Sequence, residues 1–316
     1  MKIAILNGPK DFQIHEETLP ALLPDEVLVQ VAACGVCTSE LDMWEGKAGN
    51  VGYPRYPGHE VSGVVMEVGK DVQDFGPGDR VAVWAPGRGF AEYVIVKSKY
   101  CFPAGDLPLD LALAEPLACA VNTVELANLS LGDDVVIIGA GFMGNLVQKL
   151  AAMQGPRRLI VADTRPDALE RALRLGATHV VNVASESLPE AVKALTEGKG
   201  ADASFEVVGA QAPLSLLGEV THMSGKVVIV GYHQGEPRQI PLGYWNWMAF
   251  QILNAHFREE ATILRGMGIG MRLLTSGRMS LEDLVTHRFT LEEINQAFAT
   301  AHAKPQGFVK STVVIA

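Results

Sequence analysis

A glycine-rich turn constrains the fold of this 316-residue chain more than any other feature. In residues 134–138, four apolar residues follow Asp134, a pattern typical of a buried strand, and a helix is predicted over residues 142–154. The glycines between them have the spacing G-x-G-x-x-G, which allows a tight turn and close approach of a pyrophosphate. The residues predicted to contact a dinucleotide here are Gly139, Gly141, Phe142, Met143 and Gly144.

Strand and helix patterns alternate on the C-terminal side of this turn. The predicted strands cover residues 159–163, 180–181, 203–208 and 226–230, and the predicted helices between the first of them cover 166–175 and 187–197. Nearly continuous apolar strands separated by helices indicate a parallel sheet covered on both faces. We therefore predict a doubly wound, Rossmann-type domain over residues 118–260.

Several residues follow the ends of these predicted strands. Asp163 stands where a carboxylate accepts hydrogen bonds from the adenosine ribose and repels a 2′-phosphate. Arg165 can stack on adenine or favour a 2′-phosphate, so both cofactors stay open, with NAD preferred over NADP. Because ligands collect at the carboxyl edge of a parallel sheet, we expect Val208, Gly231 and Tyr232 to contact the nicotinamide half.

The N-terminal part of the chain has a different texture. Short predicted strands separated by Gly and Pro clusters cover residues 26–31, 61–65 and 80–83, with a short helix over 39–44. This pattern is typical of a compact, mostly antiparallel β domain. After residue 260, helices over 261–275 and 291–300 precede a final strand over 307–315. Because that strand can pair back, we predict a discontinuous β domain of residues 1–117 and 261–316.

Composition limits the classes of partner. With 36 acidic against 26 basic residues, the net charge of −10 argues against a nucleic-acid-binding surface. The chain has no run of about 20 apolar residues that would favour a membrane-spanning helix. Four cysteines are too few for a disulfide-rich secreted scaffold. We expect a cytoplasmic protein that acts on a small molecule, without nucleic-acid or membrane partners.

Four side chains of the predicted β domain offer metal ligands: Cys37, His59, Glu60 and Glu115. Zinc favours thiolate, imidazole and carboxylate ligands in a tetrahedral shell, and a catalytic zinc keeps one position for water or substrate. Their spacing alone does not bring them together, and each residue also has an ordinary structural explanation. Cys34 and Cys37 also permit a redox pair, although the β-domain context is unusual for one.

The order of the motifs resembles the zinc-dependent branch of the medium-chain dehydrogenase/reductase superfamily over nearly the whole chain. The segments that carry the resemblance are residues 34–40, 58–63, 78–81, 115–118, 139–144 and 286–298. The use of Glu60 and Glu115 looks most like the sorbitol, polyol and threonine dehydrogenases. The resemblance implies an α/β protein with a GroES-like, mainly β catalytic domain and a Rossmann domain.

The resemblance also implies roles for individual residues. Cys37, His59 and Glu60 match metal ligands, and Glu115 matches a position that binds zinc directly or through its water. Ser39 matches the hydroxyl that relays the substrate proton. One catalytic zinc would lower the pKa of the substrate hydroxyl, and NAD would receive the hydride.

Three features depart from the family pattern. Asp42 stands where a histidine commonly ends the proton relay, and we keep it as a candidate proton acceptor. Glu40 replaces a more usual aspartate that braces the ligand histidine, which is His59 here. The segment with four cysteines that holds a structural zinc is missing, and residues 84–90 alone join two strands, so a second zinc is not expected.

These observations predict a zinc- and NAD-dependent oxidoreductase acting on a secondary alcohol such as a polyol, sugar alcohol or cyclitol. The alternatives are a metal-free, NADPH-dependent enone or quinone reductase of the same superfamily and a non-catalytic NAD-binding regulatory protein. Threonine oxidation is also open. The resemblance further suggests a homodimer or homotetramer, self-paired through the strand over 227–230 and the segment 231–238.

Overall fold

The structure is a computed structural model that describes residues 1–47, 52–233 and 235–315. The strands are β1 (Lys2–Gly8), β2 (Asp11–Glu16), β3 (Glu26–Gly35), β4 (Glu60–Val68), β5 (Arg80–Trp84), β6 (Tyr93–Lys97), β7 (Cys101–Pro103), β8 (Asp134–Ile138), β9 (Arg158–Asp163), β10 (His179–Asn182), β11 (Ala201–Glu206), β12 (Thr221–Ile229), β13 (Gln251–Asn254), β14 (Val285–Thr290) and β15 (Lys310–Val314). The α-helices are α1 (Thr38–Glu45), α2 (Ala114–Ala127), α3 (Phe142–Ala152), α4 (Pro166–Arg174), α5 (Leu188–Leu195), α6 (Gln211–Val220), α7 (Leu242–Trp247), α8 (Glu260–Thr275) and α9 (Ile294–Ala303). Single 3₁₀ turns cover Ser98–Tyr100, Leu109–Leu111 and Leu291–Glu293.

The chain divides into two compact units, one of Met1–Ala118 with Ile263–Ala316 and one of Cys119–Thr262. The first unit contains a sheet with the order β14-β15-β3-β4-β5-β7, in which β6 also pairs with β3. The expected return of the last strand is present, because β15 runs antiparallel to β3 with Val313 opposite Cys34. Both ends of the chain therefore contribute to one β unit.

Alternation along β3 explains how this unit forms its core. Val27, Val29 and Val31 are fully buried at every second position, as expected for a strand with one face on the core. Phe298 of α9 lies on the same core, with its ring centroid 4.7 Å from Phe12. Burial of a side chain of this size stabilises the fold by about 1.5–3 kcal/mol, so α9 holds the two ends of the chain together.

The second unit is a parallel six-stranded sheet with the order β10-β9-β8-β11-β12-β13. Every residue of β8 is buried, which explains why four apolar residues follow Asp134 in this strand. The strand order reverses between β8 and β11, and ligands of such sheets bind at the carboxyl ends of the strands next to that reversal. The predicted fold class, with a GroES-like β domain and a Rossmann sheet, is confirmed. Among the described residues, no helix has both the length and the apolarity needed to cross a bilayer.

The position of β12 corrects one prediction. The strand over residues 227–230 was expected to be a self-pairing edge, but β12 lies between β11 and β13. In the described part of the sheet, β13 is the outer strand beside it. This strand has only four residues, Gln251–Asn254, and its apolar pattern is too short to mark a strand in the sequence.

A buried carboxylate ends β11 earlier than predicted. The strand was expected to reach residue 208 but ends at Glu206. The side chain of Glu206 accepts hydrogen bonds from the backbone N–H groups of Val208 and Gly209, each at 2.7 Å. These bonds turn the chain back towards the strand end and take the place of further ladder bonds.

Candidate metal centre and dinucleotide site

Strand pairing brings the three predicted metal ligands together. Glu60 begins β4 and lies opposite Gly35 at the end of β3, while Cys37 follows two residues later as the N-cap of α1. One ligand atom from each of Cys37, His59 and Glu60 lies within 4.8 Å of the other two. Residues distant in sequence therefore converge because the end of β3 lies beside the start of β4.

His59 is oriented by the carboxylate of Glu40. Its Nδ1 lies 2.8 Å from Glu40 Oε1, which also accepts a hydrogen bond from the backbone N–H of Gly58 at 2.7 Å. The longer side chain thus makes the bracing contact expected of the usual aspartate. The remaining ring nitrogen, Nε2, is left for a metal.

Charge in this region shifts the pKa values of both partners. Burial lowers the pKa of His59, but the negative charges of Glu40 and Cys37 outweigh it and hold that pKa well above its ordinary value. Burial raises the pKa of Glu40, and His59 together with two backbone N–H groups lowers it further than burial raises it. A raised pKa favours a proton on this imidazole, and that proton competes with a metal for the ring.

Ser39 and Asp42 both lie on α1, one turn apart. The Ser39 hydroxyl donates to the Sγ of Cys37 at 3.3 Å, so it reaches the cluster of ligand atoms. Asp42 is half-buried and three residues further along the helix, the spacing that places side chains on one face. The geometry thus puts a hydroxyl beside the cluster, with Asp42 one helical turn further along α1.

Glu115 stands at the rim of the cluster. It lies in the first turn of α2, and its Oε2 is 4.0 Å from His59 Nε2. Burial raises its pKa above the ordinary value despite the opposing effect of His59. Its carboxylate is not among the three ligands within 4.8 Å of one another, so it stands one step further out than Glu60.

Lys310 is the residue at this site that the sequence reasoning missed. It begins β15, and its Nζ donates to Glu60 Oε1 at 2.8 Å and lies 2.6 Å from Oε2. Burial lowers the pKa of the ammonium, but the negative charges of Glu60 and Cys37 outweigh it and raise that pKa. In the sequence, the feature that pointed to this residue was a single lysine at the start of an otherwise uncharged final strand.

The donor set fits zinc. A thiolate, an imidazole nitrogen and a carboxylate are the ligands that zinc accepts, and three protein ligands leave a fourth position open. The redox alternative has no support here, because Cys34 is fully buried in the hydrophobic core and its burial raises the pKa of its thiol well above the ordinary value. Cys34 and Cys37 are both free thiols.

The second unit carries the glycine-rich turn as predicted. Gly139 follows β8 with φ +109°, a conformation that favours glycine, and Gly141 is the N-cap of α3. A Cβ on Gly144 would collide with the carbonyl oxygen of Gly139, so helix and turn approach as only glycine allows. Phe142 and Met143 begin α3, and the N-terminus of a helix favours a phosphate group.

Asp163 lies directly over this turn at the end of β9. Its Oδ2 accepts a hydrogen bond from Ala140 N at 2.8 Å, and its Oδ1 accepts one from Arg165 N at 2.9 Å. The Nε of the Arg165 side chain is 3.6 Å from the same carboxylate. The Asp163 carboxylate is therefore fixed at the turn. The guanidinium of Arg165, which kept both NAD and NADP as candidate cofactors, lies beside it.

The remaining predicted contacts follow β11 and β12. The side chains of Val208 and Tyr232 are exposed, and Gly231, which follows the end of β12, is buried. A histidine without an evident role in the sequence, His256, lies 3.1 Å through Nε2 from the carbonyl oxygen of Gly231, and its ring centroid is 5.8 Å from that of Tyr232. His233 lies next to this segment, and its Nε2 is 2.7 Å from the Oε2 of the buried Glu206.

Both units match models of known protein families. The model described as the alcohol dehydrogenase GroES-like domain matches residues 23–106, and the model described as a zinc-binding dehydrogenase matches residues 143–263. The two matches follow one another in the order that the motifs predict. The chain belongs to the zinc-type medium-chain dehydrogenase/reductase superfamily. The superfamily predicted from the sequence is thereby confirmed.

Similarity to individual members of this superfamily extends over the full chain. Sorbitol dehydrogenase from Bacillus subtilis (strain 168) is 28% identical over 337 residues, which cover 95% of this chain and 93% of that protein. The structure of alcohol dehydrogenase TADH from Thermus sp. ATN1 superimposes with a TM-score of 0.87 at 27% identity and covers 100% of both chains. That of 2R,3R-butanediol dehydrogenase from Bacillus subtilis gives 0.88 at 26% identity and covers 99% of each.

Asp163 gives a direct test of cofactor choice in this medium-chain dehydrogenase. We expect Asp163→Asn to lower the ratio of kcat/KM for NAD to that for NADP by about tenfold or more, because removing a like charge beside a 2′-phosphate relieves repulsion. Steady-state kinetics with both cofactors measure the ratio. Asp167→Asn, in the first turn of α4, is the matched control. An unchanged ratio in Asp163→Asn would remove this residue from cofactor selection.

Proposed function

We propose that this chain is a zinc-dependent oxidoreductase that transfers hydride between a secondary alcohol and NAD. The observation that carries the proposal is the convergence of Cys37, His59 and Glu60 in a member of a dehydrogenase superfamily. A thiolate and a carboxylate beside a braced histidine have no structural need to meet at one point. The glycine-rich turn and Asp163 supply the dinucleotide half of the chemistry.

In this proposal the ligands hold one metal ion, and each neighbouring residue has a separate task. When bound, Zn²⁺ supplies Lewis acidity that lowers the pKa of the substrate hydroxyl. Glu40 keeps the Nε2 of His59 aimed at the metal through its contact with Nδ1. Glu115, whose Oε2 is 4.0 Å from that nitrogen, would hold the metal directly or through a water.

Two side chains of α1 remove the proton of the substrate hydroxyl in this proposal. The Ser39 hydroxyl, which contacts Cys37 in this structure, accepts the proton of the substrate hydroxyl and passes its own on. Asp42, one turn away, is the next acceptor in place of the usual histidine. When bound, NAD would accept a hydride from the alcohol carbon, and loss of this hydride and of the hydroxyl proton would leave a carbonyl compound.

The named relatives support the substrate class. Sorbitol dehydrogenase and 2R,3R-butanediol dehydrogenase are both named for polyhydroxy or dihydroxy compounds. We therefore propose a polyol, sugar alcohol, cyclitol or similar secondary alcohol as the substrate of this chain. Among the described residues around Cys37 and Glu60 we identify no group that pairs with an amino-acid ammonium and carboxylate together, so threonine is the less favoured substrate.

Metal analysis combined with a substrate panel tests the proposal. We expect purified protein to hold one zinc per chain and to reduce NAD with at least one alcohol from a panel of polyols and secondary alcohols. NADP is tested in parallel. Zinc-free protein that reduces enones or quinones with NADPH would instead establish the metal-free reductase. Tight NAD binding without turnover of any panel member would establish a regulatory protein.

We also propose that two copies of the chain pair through β13. This outer strand carries no charged residue, and Ile252 at its centre is 43% exposed. Exposed apolar side chains of the preceding segment include Leu242, Tyr244 and Trp247, the last 76% exposed. An unpaired, uncharged strand edge beside apolar surface favours antiparallel pairing with an identical strand across a twofold axis.

Charge placed on this strand is expected to separate the copies. Ile252→Lys should shift the protein from dimer, or from tetramer, to a smaller species in sedimentation velocity, because pairing would place two ammonium groups close together. Leu131→Lys changes an equally apolar residue that is 87% exposed elsewhere in the same unit and serves as the control. A monomeric wild-type protein would contradict this proposal.

A cytoplasmic location is proposed on the state of the cysteines. All four are free thiols, and Cys34 and Cys101 are buried. Burial raises the pKa of Cys101 to about 12, so this thiol does not ionise readily. Such cysteines fit a reducing compartment.

A further inference from the structure

Lys310 and Glu60 form a buried ion pair beside the converging ligand atoms of Cys37 and His59. The side chains are 6% and 1% exposed, and the Lys310 Nζ is within 2.8 Å of both carboxylate oxygens. Cys37 and His59 nevertheless have their ligand atoms within 4.8 Å of one of those oxygens. The same carboxylate thus faces an ammonium on one side and a metal position on the other.

The backbone around the pair gives the carboxylate little room to move elsewhere. Gly35 lies opposite Glu60 on β3, and a Cβ at Gly35 would collide with Glu60 Oε2 and lie 3.1 Å from Lys310 Cε. Lys310 itself begins β15, which pairs with the same end of β3. Three strands therefore confine the carboxylate and the ammonium to one slot.

A buried carboxylate needs a positive partner, because it has lost its hydration. We propose that Lys310 is an internal counter-ion that shares the Glu60 carboxylate with the metal and so weakens the hold of that ligand on it. Lys310 is then a positioning residue, which stabilises the metal-free site and weakens the contact of Glu60 with the metal in the loaded one. This inference rests on the proposed function, because it requires a metal at Cys37, His59 and Glu60.

Removal of the ammonium tests the inference. In Lys310→Met the Glu60 carboxylate loses its ammonium partner and is no longer shared with it, so we expect Zn²⁺ to bind about tenfold more tightly, the scale of outer-shell effects. Competition with a chromophoric chelator measures the affinity at fixed pH. The metal-free variant should also melt at a lower temperature than metal-free wild type. Lys226→Met, which removes a half-buried strand lysine from the other unit, should leave the Zn²⁺ affinity unchanged.

A second background separates this effect from long-range repulsion of the metal. Glu60→Gln removes the shared charge, so Lys310→Met added to it should leave Zn²⁺ affinity unchanged. An equal gain in both backgrounds would show that Lys310 acts on the metal through space and would overturn the proposal. Unchanged affinity in Lys310→Met would overturn it as well. If that single variant folds only with Zn²⁺, the metal has replaced the ammonium, as proposed.

The failure of this inference and that of the proposed function look different. Wild-type protein that binds no Zn²⁺ in the chelator assay would contradict the proposed function itself. Wild-type binding without a response to Lys310→Met would contradict the role of Lys310 alone. If Lys310→Met folds neither with nor without Zn²⁺, the double variant with Glu60→Gln and Lys310→Met decides. The proposal requires its Zn²⁺ affinity to equal that of Glu60→Gln, and tighter binding by the double variant would refute the proposal.

Discussion

Cys37→Ala is expected to abolish stoichiometric zinc binding and to lower kcat/KM for the alcohol by at least about a thousandfold. The variant loses the thiolate among the three converging ligands, and Lewis-acid stabilisation by a bound metal contributes several kcal/mol at about 1.4 kcal/mol per factor of ten. Metal analysis and steady-state kinetics on the same preparation measure both effects. NAD binding should persist, because the glycine-rich turn belongs to the other unit.

Cys34→Ala is the matched control for that experiment. Cys34 lies three residues earlier, but its side chain is in the hydrophobic core and not in the ligand cluster. It should cost some stability through the lost core volume while leaving zinc content and turnover near those of the wild type. Full activity in Cys37→Ala would revive the metal-free reductase as an explanation.

Ser39→Ala is expected to lower kcat by about a hundredfold or more while leaving zinc bound. The hydroxyl touches the Cys37 sulfur but is not a predicted ligand, so its loss removes a proton acceptor without dismantling the cluster. Zinc content and kcat with the best panel alcohol are the two measurements. A loss of rate that becomes smaller at higher pH would identify the missing step as proton removal, because hydroxide can then take part.

Thr38→Ala provides the comparison for Ser39. Thr38 is exposed and is the neighbouring hydroxyl on the same helix, so its removal should change neither zinc content nor kcat appreciably. If Ser39→Ala lost its zinc, the role of Ser39 would be to support Cys37. If its rate matched that of the wild type, the relay would begin elsewhere.

The fold was predictable where a local pattern had only one structural solution. The apolar run of β8 followed by Gly139, Gly141 and Gly144 requires a buried parallel strand and a tight turn into a helix. The alternation that follows determines the rest of the parallel sheet. The outer strand β13 was missed because four residues carry too little periodicity, and its neighbours decide its structure.

The sequence was enough to predict which residues supply the metal ligands of the candidate site. It was not enough to predict which positive charge pairs with the buried carboxylate among them. Motif order pointed to Cys37, His59 and Glu60, whose atoms converge in the structure. The pairing of Lys310 with Glu60 depends on β15 returning beside β3, and 250 residues separate the two side chains. No local pattern encodes such a contact, because strand pairing alone creates it.

The central claim is that a metal held by Cys37, His59 and Glu60 promotes hydride transfer from an alcohol to NAD. Its most direct test uses the best panel alcohol deuterated at the carbinol carbon, with mass analysis of the nicotinamide product from zinc-loaded and zinc-stripped protein. We predict that zinc-loaded protein transfers deuterium to the reduced cofactor and that zinc-stripped protein transfers almost none. Returning zinc to the stripped protein should restore the transfer. Undiminished deuterium transfer by the zinc-stripped protein, or none by the loaded protein, would contradict the claim.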